Sequence, residues 1–189
     1  MPLTLHHIVP FSLSKGLAAL WNAVAADGAL SAAQPLLSAI ALNVDRYGTN
    51  LGSADRERVK TIANGIKNGT ITHSSTATTT PDGWDNFAQV YAWLPGNLFC
   101  GPTDRADAPA NDDFDAPARL IIGTGAQYTT LQTADSRIRQ YLADRKVGYA
   151  EQAYDSLGTV ARSNLAFTPF TSTQWTWDSG RNLPKVKGS

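Results

Sequence analysis

LTLHHIVPFS, residues 3–12, places two of the three histidines of this chain side by side on a short apolar run. We predict a β-strand here, and neighbouring residues on a strand point to opposite faces. His6 and His7 can therefore perform two different tasks from one piece of backbone. Cleavage of a phosphodiester with one divalent metal needs two such tasks. A neutral imidazole deprotonates the attacking water, and separate ligands hold the metal.

Two stretches of the sequence resemble one known family. Leu-His-His-Ile-Val-Pro, residues 5–10, is similar to the first strand of the His-Me finger (HNH) nuclease superfamily, especially its Leu-His-His group of secreted bacterial toxins. Residues 97–99, Asn-Leu-Phe, resemble the asparagine segment of the same superfamily. The resemblance implies that His7 is the general base and His6 a metal ligand. It also implies that Asn97 orients the base or completes the metal shell. A turn or helix-end residue whose amide binds backbone is the alternative for Asn97, which follows Pro95–Gly96.

The remaining metal ligands are expected in the acidic segment 104–115, because histidine is absent from that part of the chain. Carboxylates suit magnesium, which prefers hard oxygen ligands. We predict that Asp104 and Asp113 join His6 around a divalent ion, Mg²⁺ first, with Zn²⁺ and Mn²⁺ as alternatives. Arg105 is assigned to clamp a phosphate, as arginine does in a bidentate manner. A solvated acidic loop, with Arg105 paired to its acidic neighbours, explains the same residues.

Composition narrows the classes of protein. Sixteen basic and sixteen acidic side chains cancel, so the whole chain lacks the basic signature of a nucleic-acid binder, and only a local patch stays open. The densest basic cluster comprises Arg137, Arg139, Arg145 and Lys146. Cys100 is the only cysteine, which excludes an internal disulfide and a cysteine-rich zinc site. We expect no membrane span and no standard export signal.

Apolar residues recur at helical spacing along most of the chain. Helices are predicted from Leu17 to Gly28, from about Pro35 to Asn43, from Ser53 to Asn68–Gly69, and up to Pro95–Gly96. In the first helix Leu17, Leu20, Trp21 and Val24 share one face, and Ser53 is the predicted N-cap of the third. Residues 134–165 are predicted to form one long helix or a hairpin broken near Gly148. A strand or buried segment with a glycine turn is predicted over 119–132, and a strand edge or exposed loop that includes His73 over 70–83. The tail alternates aromatic and polar residues around Trp175 and Trp177, and its end, with Lys185, Lys187 and small residues, is expected to fray.

These elements predict a single domain, residues 1–189, with an α+β, predominantly helical fold. The resemblance implies that its core is a short β-hairpin of the ββα-metal type, built from residues 3–12 and 95–115. A long helical insertion occupies 13–94, and a helical C-terminal part occupies 116–189. Because that insertion separates the two motifs, its helices must return the chain to the site.

The resemblance implies a metal-dependent endonuclease that hydrolyses phosphodiester bonds of nucleic acid, with DNA as the leading substrate. It further implies an antibacterial effector that is secreted without a standard signal peptide, acts in the target-cell cytoplasm and is neutralised in its producer by an immunity protein. An RNase or another phosphoesterase on the same site is an alternative, and the oligomeric state stays open. A non-catalytic helical interaction module, with Trp175 and Trp177 as its contact surface, is the alternative from another class. In that case the histidines are a chance surface pair, or one of them is buried and hydrogen-bonded.

Overall fold

The computed structural model describes residues 1–47, 50–72, 80–163 and 167–189, and the prediction for His73 lies outside them. The fold is α+β and predominantly helical, as the sequence predicts. The strands are β1 (Leu3–His7), β2 (Leu98–Pro102), β3 (Trp175–Asp178) and β4 (Leu183–Val186). The α-helices are α1 (Leu17–Ala26), α2 (Gln34–Tyr47), α3 (Ser53–Lys67), α4 (Trp84–Ala92), α5 (Arg119–Ile122), α6 (Ala126–Asp144) and α7 (Val147–Ser163). Across these ranges no helix combines the length and apolar character that a membrane span requires.

The helices bury the apolar stripes that the sequence pattern predicts. In α1 the predicted face, Leu17, Leu20, Trp21 and Val24, is buried. Helix α7 packs against both α2 and α6, and α3 packs against α2 and α4. The approach of α7 to the start of α2 depends on Gly158, because a Cβ there would lie 2.9 Å from the carbonyl carbon and oxygen of Pro35.

Strands β1 and β2 form an antiparallel pair although α1 to α4 lie between them in sequence. The register places His7 opposite Leu98 and His6 opposite Phe99. Thr168 extends this small sheet on the far side of β2, because its backbone bonds to Leu98 and Cys100. The inserted helices therefore return the chain so that both histidine-bearing and asparagine-bearing motifs lie at one sheet.

The structure corrects several local predictions. Residues 119–132 are not a strand; they contain α5 and the start of α6, because a short apolar run does not distinguish a strand from a buried helix. Of the two alternatives for residues 134–165, the structure shows the hairpin, and its break lies just before Gly148, at Arg145, whose φ of 56° is left-handed. Helix α3 begins at Ser53, but its N-cap is Gly52 and no side chain caps it.

The C-terminal tail is ordered rather than frayed. Strands β3 and β4 pair as an antiparallel hairpin, and Val186 is completely buried. The hairpin is held from outside, because the Val186 amide donates to the Asp107 carboxylate at 3.0 Å and the Ala106 amide donates to Pro184 O at 2.8 Å. Those partners are far away in sequence, and local pattern does not reveal them.

We predict that Gly158→Ala lowers the free energy of unfolding by about 1–3 kcal/mol, the usual cost of overpacking a core. The added methyl group has to push α7 away from the Pro35 backbone. Gly148→Ala is the matched control in the same helix, since a Cβ there meets nothing within 4 Å and alanine favours a helix over glycine. Urea unfolding followed by circular dichroism measures both variants. A Gly158→Ala protein as stable as the control would contradict the close approach.

Candidate active site

Asn97 connects the end of β1 to the start of β2. Its side chain is fully buried, Oδ1 accepts a hydrogen bond from the Val9 amide at 2.8 Å, and Nδ2 donates to Val9 O at 2.9 Å. The Ile8 amide donates to Asn97 O at 2.9 Å. The side-chain amide therefore pairs with backbone immediately after His7. These are the contacts expected of a turn residue whose amide binds backbone, and a role of Asn97 toward the base or a metal stays a prediction.

The turn that delivers Asn97 is built from residues that end a helix. Helix α4 stops before Pro95, and Gly96 adopts a φ of 78°, which favours glycine. The Asn97 amide donates back to Leu94 O at 3.1 Å. From the start of α6, Gln127 Nε2 donates to Gly96 O at 2.7 Å. The position of Asn97 is thus fixed by two helices as well as by the sheet.

His7 has one defined tautomer in its neutral form. Its Nε2 lies 2.8 Å from the backbone oxygen of Ala92. A carbonyl oxygen only accepts, so Nε2 must carry hydrogen and donate it. The lone pair of the neutral ring therefore lies on Nδ1, which is the atom able to take a proton. Burial lowers the pKa of His7, with the bond to Ala92 opposing that effect, so the neutral ring is favoured.

Aromatic side chains flank the His7 ring. Phe11 stacks on it with ring centroids 6.1 Å apart, and Trp93 lies tilted at 6.0 Å. Both remain exposed to solvent, Phe11 by 42% and Trp93 by 48%. Neither residue is predicted from the sequence as a site residue, although Phe11 follows the Ile-Val-Pro run and Trp93 ends the helix before Asn97. Their position beside the motif is the signal that could have identified them.

His6 occupies the opposite face of β1, as strand geometry requires. Its ring stacks on Phe99 with centroids 5.2 Å apart, and Nε2 lies 2.8 Å from Pro102 O, so that atom donates to the carbonyl. Burial is the main cause that lowers the pKa of His6. The Arg105 charge lowers it further, while the Asp115 and Asp107 carboxylates raise it. His6 and His7 therefore have different surroundings.

Arg105 lies in a buried ion-pair cluster on the His6 side. Its guanidinium, with no exposed side-chain surface, lies 2.6 Å from the Asp115 carboxylate and 3.1 Å from that of Asp107. The rings of Phe99 and Trp175 lie 5.2 and 5.5 Å from the guanidinium carbon. A phosphate would have to displace a carboxylate to reach Arg105. The structure thus gives Arg105 the pairing role among the two that the sequence left open.

The structure does not gather the predicted metal ligands around one point. Asp113 is ion-paired with Lys15 at 2.6 Å and with Arg139 at 3.4 Å, and Asp104 is exposed. Nε2 of His6 is already bonded to a carbonyl. Within the described ranges, no three His, Cys, Asp or Glu side chains lie close enough together to hold a metal ion. The predicted donor set does not fit a metal centre in this arrangement, and a divalent-metal requirement stays a prediction.

The basic cluster on α6 and its end is largely engaged within the protein. Arg139 pairs with Asp135 at 2.7 Å, and Arg145 pairs with Asp27 at 3.1 Å. Arg137 donates to Gln140 at 2.6 Å. These contacts are typical of a solvated helix face, the second explanation for the cluster.

No protein-family model, curated protein or solved structure matches this chain. The candidate site therefore depends on its own geometry and on the two short motifs. At His7 that geometry offers an imidazole whose tautomer is fixed by a carbonyl and whose backbone is followed by the segment bonded to Asn97.

We predict that Asn97→Ala destabilises the protein strongly, because it leaves the amide and carbonyl of buried Val9 without partners. Each buried backbone group left unpaired costs about 1–3 kcal/mol. Asn43→Ala is the matched control, since Asn43 donates one partly exposed bond to Ala39 O within α2. Urea titration measures both. Equal stability of the two variants would contradict a role of the Asn97 side chain in holding the Val9 backbone.

Proposed function

We propose that this protein is a nuclease that hydrolyses phosphodiester bonds of nucleic acid, with His7 as its general base. The observation that carries the proposal is the bond from His7 Nε2–H to Ala92 O, which leaves Nδ1 as the proton acceptor. A general base must be neutral at working pH, and burial of His7 favours that form. The motif around residues 5–10 supports the assignment to phosphodiester chemistry.

In the proposed reaction, Nδ1 of His7 accepts a proton from water as the water oxygen forms a bond to phosphorus. The bond from phosphorus to the leaving oxygen breaks, and that oxygen takes the electron pair and a proton from solvent. The positive charge on His7 strengthens its bond to Ala92 O, because charge-assisted hydrogen bonds are stronger than neutral ones. Asn97 acts indirectly, by fixing the backbone that carries His7.

Removing the base should nearly abolish cleavage. We expect His7→Ala to reduce the rate of plasmid nicking about 10²- to 10⁴-fold, the usual contribution of general-base catalysis. Supercoiled plasmid is incubated with Mg²⁺, with Mn²⁺ and with chelator, and parallel lanes contain RNA. Lys187→Ala is the control prepared in the same way. Intact substrate in every lane, or undiminished cleavage by His7→Ala, would remove the proposal, whereas loss of cleavage in chelator would support the metal requirement.

The pH profile supplies an independent test. Burial lowers the pKa of His7 below its ordinary 6.5, so the acid limb of kcat/KM should lie below pH 6.5. Trp93→Ala exposes the ring and should move that limb upward. The stability of the protein should depend on pH for the same reason. As pH falls, His7 takes up a proton in the unfolded chain before it does so in the folded protein, so the free energy of unfolding decreases below pH 6.5. An acid limb above pH 6.5 in the wild-type protein would contradict a buried, neutral base.

We also propose that the nuclease is an antibacterial effector, restrained in its producer by an immunity protein. The support is the similarity of residues 5–10 to the Leu-His-His toxin group. Expression in a bacterial cytoplasm should then lower colony counts, and His7→Ala should restore them at equal protein levels. Growth inhibition that persists in the His7→Ala strain would separate toxicity from the candidate site.

A further inference from the structure

The cleft that Phe11 helps to line is apolar and aromatic. It lies between α1 and α4, has a volume of about 230 Å³, and is lined in part by Phe11, Trp21, Trp84 and Tyr91. Clefts that bury drug-sized ligands measure roughly 300–1,000 Å³, so this one has room for about one ring system. None of the described residues along its walls carries a charge. The lining therefore suits a flat, neutral group and not a phosphate or an acidic side chain.

Phe11 makes this cleft continuous with the candidate active site. The same ring stacks on His7 and forms part of the cleft wall. Exposed Trp93 provides a second aromatic face beside His7. Asn22, exposed at the cleft, adds one amide that can bond to the polar edge of a ring. A ligand in the cleft thus contacts the same phenyl ring that stacks on His7.

We infer that the cleft and the two exposed rings bind unpaired nucleobases, so that the preferred substrate of the site is single-stranded nucleic acid. This inference rests on the proposed function. In a polynucleotide each base is joined through one sugar to its phosphate, and stacking of a base on Phe11 holds the neighbouring phosphate close to His7. Bases in a duplex stack on each other and cannot offer their faces without being flipped out. Aromatic side chains that bind unpaired bases tolerate any sequence, because every base has a π-face.

The test is binding without cleavage. Fluorescence anisotropy is measured in chelator with labelled single-stranded DNA of about 12 nucleotides, the matching RNA, and a DNA duplex. Gels confirm that each probe stays intact. We expect Phe11→Ala and Trp93→Ala each to weaken single-strand binding about 5- to 150-fold and to leave the weaker duplex binding unchanged. Phe11→Tyr, which keeps the ring, should bind as wild type.

Trp177→Ala is the matched control, because Trp177 is an indole 58% exposed on β3 in the C-terminal hairpin. Thermal melts verify folding, and Trp93→Ala carries the test if Phe11→Ala melts early. The inference is overturned if the aromatic variants bind single strands as wild type does, or if duplex is preferred. It is also overturned if no probe binds. If plasmid is cleaved but binding does not depend on the aromatic residues, the nuclease proposal remains and this inference fails. If binding depends on the aromatic residues but nothing is cleaved, the nuclease proposal fails and the binding of unpaired bases remains.

Discussion

The arrangement of the site depends on the pair of hydrogen bonds between the Asn97 side chain and the backbone of Val9. Val9 is completely buried, and its amide and carbonyl need partners once the β-ladder has ended. Asn97 supplies both from the neighbouring strand, and it thereby fixes the register between β1 and β2. A slip of one residue would turn every side chain of β1 to the other face and would exchange the surroundings of His6 and His7.

The two faces of β1 have different physical character. On one face His7 lies between exposed aromatic rings beside an apolar cleft. On the other, His6 lies against Phe99 near a buried arginine and two carboxylates, under the C-terminal hairpin. Gly101 belongs to this closed side, because a Cβ there would lie 2.8 Å from the Trp175 ring. The polar cluster therefore joins β2 to the hairpin, whereas the face that carries His7 borders the aromatic rings of Phe11 and Trp93.

Helices whose apolar stripe is regular, such as α1 and α3, could be predicted from the sequence because burial of one face follows directly from spacing. The short helix Arg119–Ile122 could not be predicted, because four residues are too few to define a helical period. The histidine pair and Asn97 could be found as motif residues. The Ala92 carbonyl that fixes the tautomer of His7 could not, since any residue type offers a carbonyl. The ion-pair partners of Arg105 and Asp113 could not be predicted either, because the fold decides which charged side chains meet.

Val9 and Asn97, which are joined by the side-chain hydrogen bonds, lie 88 positions apart in the sequence, and that separation affects the kinetics of folding. Closing a loop of this length costs entropy before its contacts stabilise the chain. Long-range strand pairing therefore forms late in folding. A chain emerging in order from its amino end carries the imidazoles long before the amide that aligns them. Until α1 to α4 have assembled, the strand that carries the imidazoles is not clamped, so under the proposed function the chain would gain activity only once folding is complete.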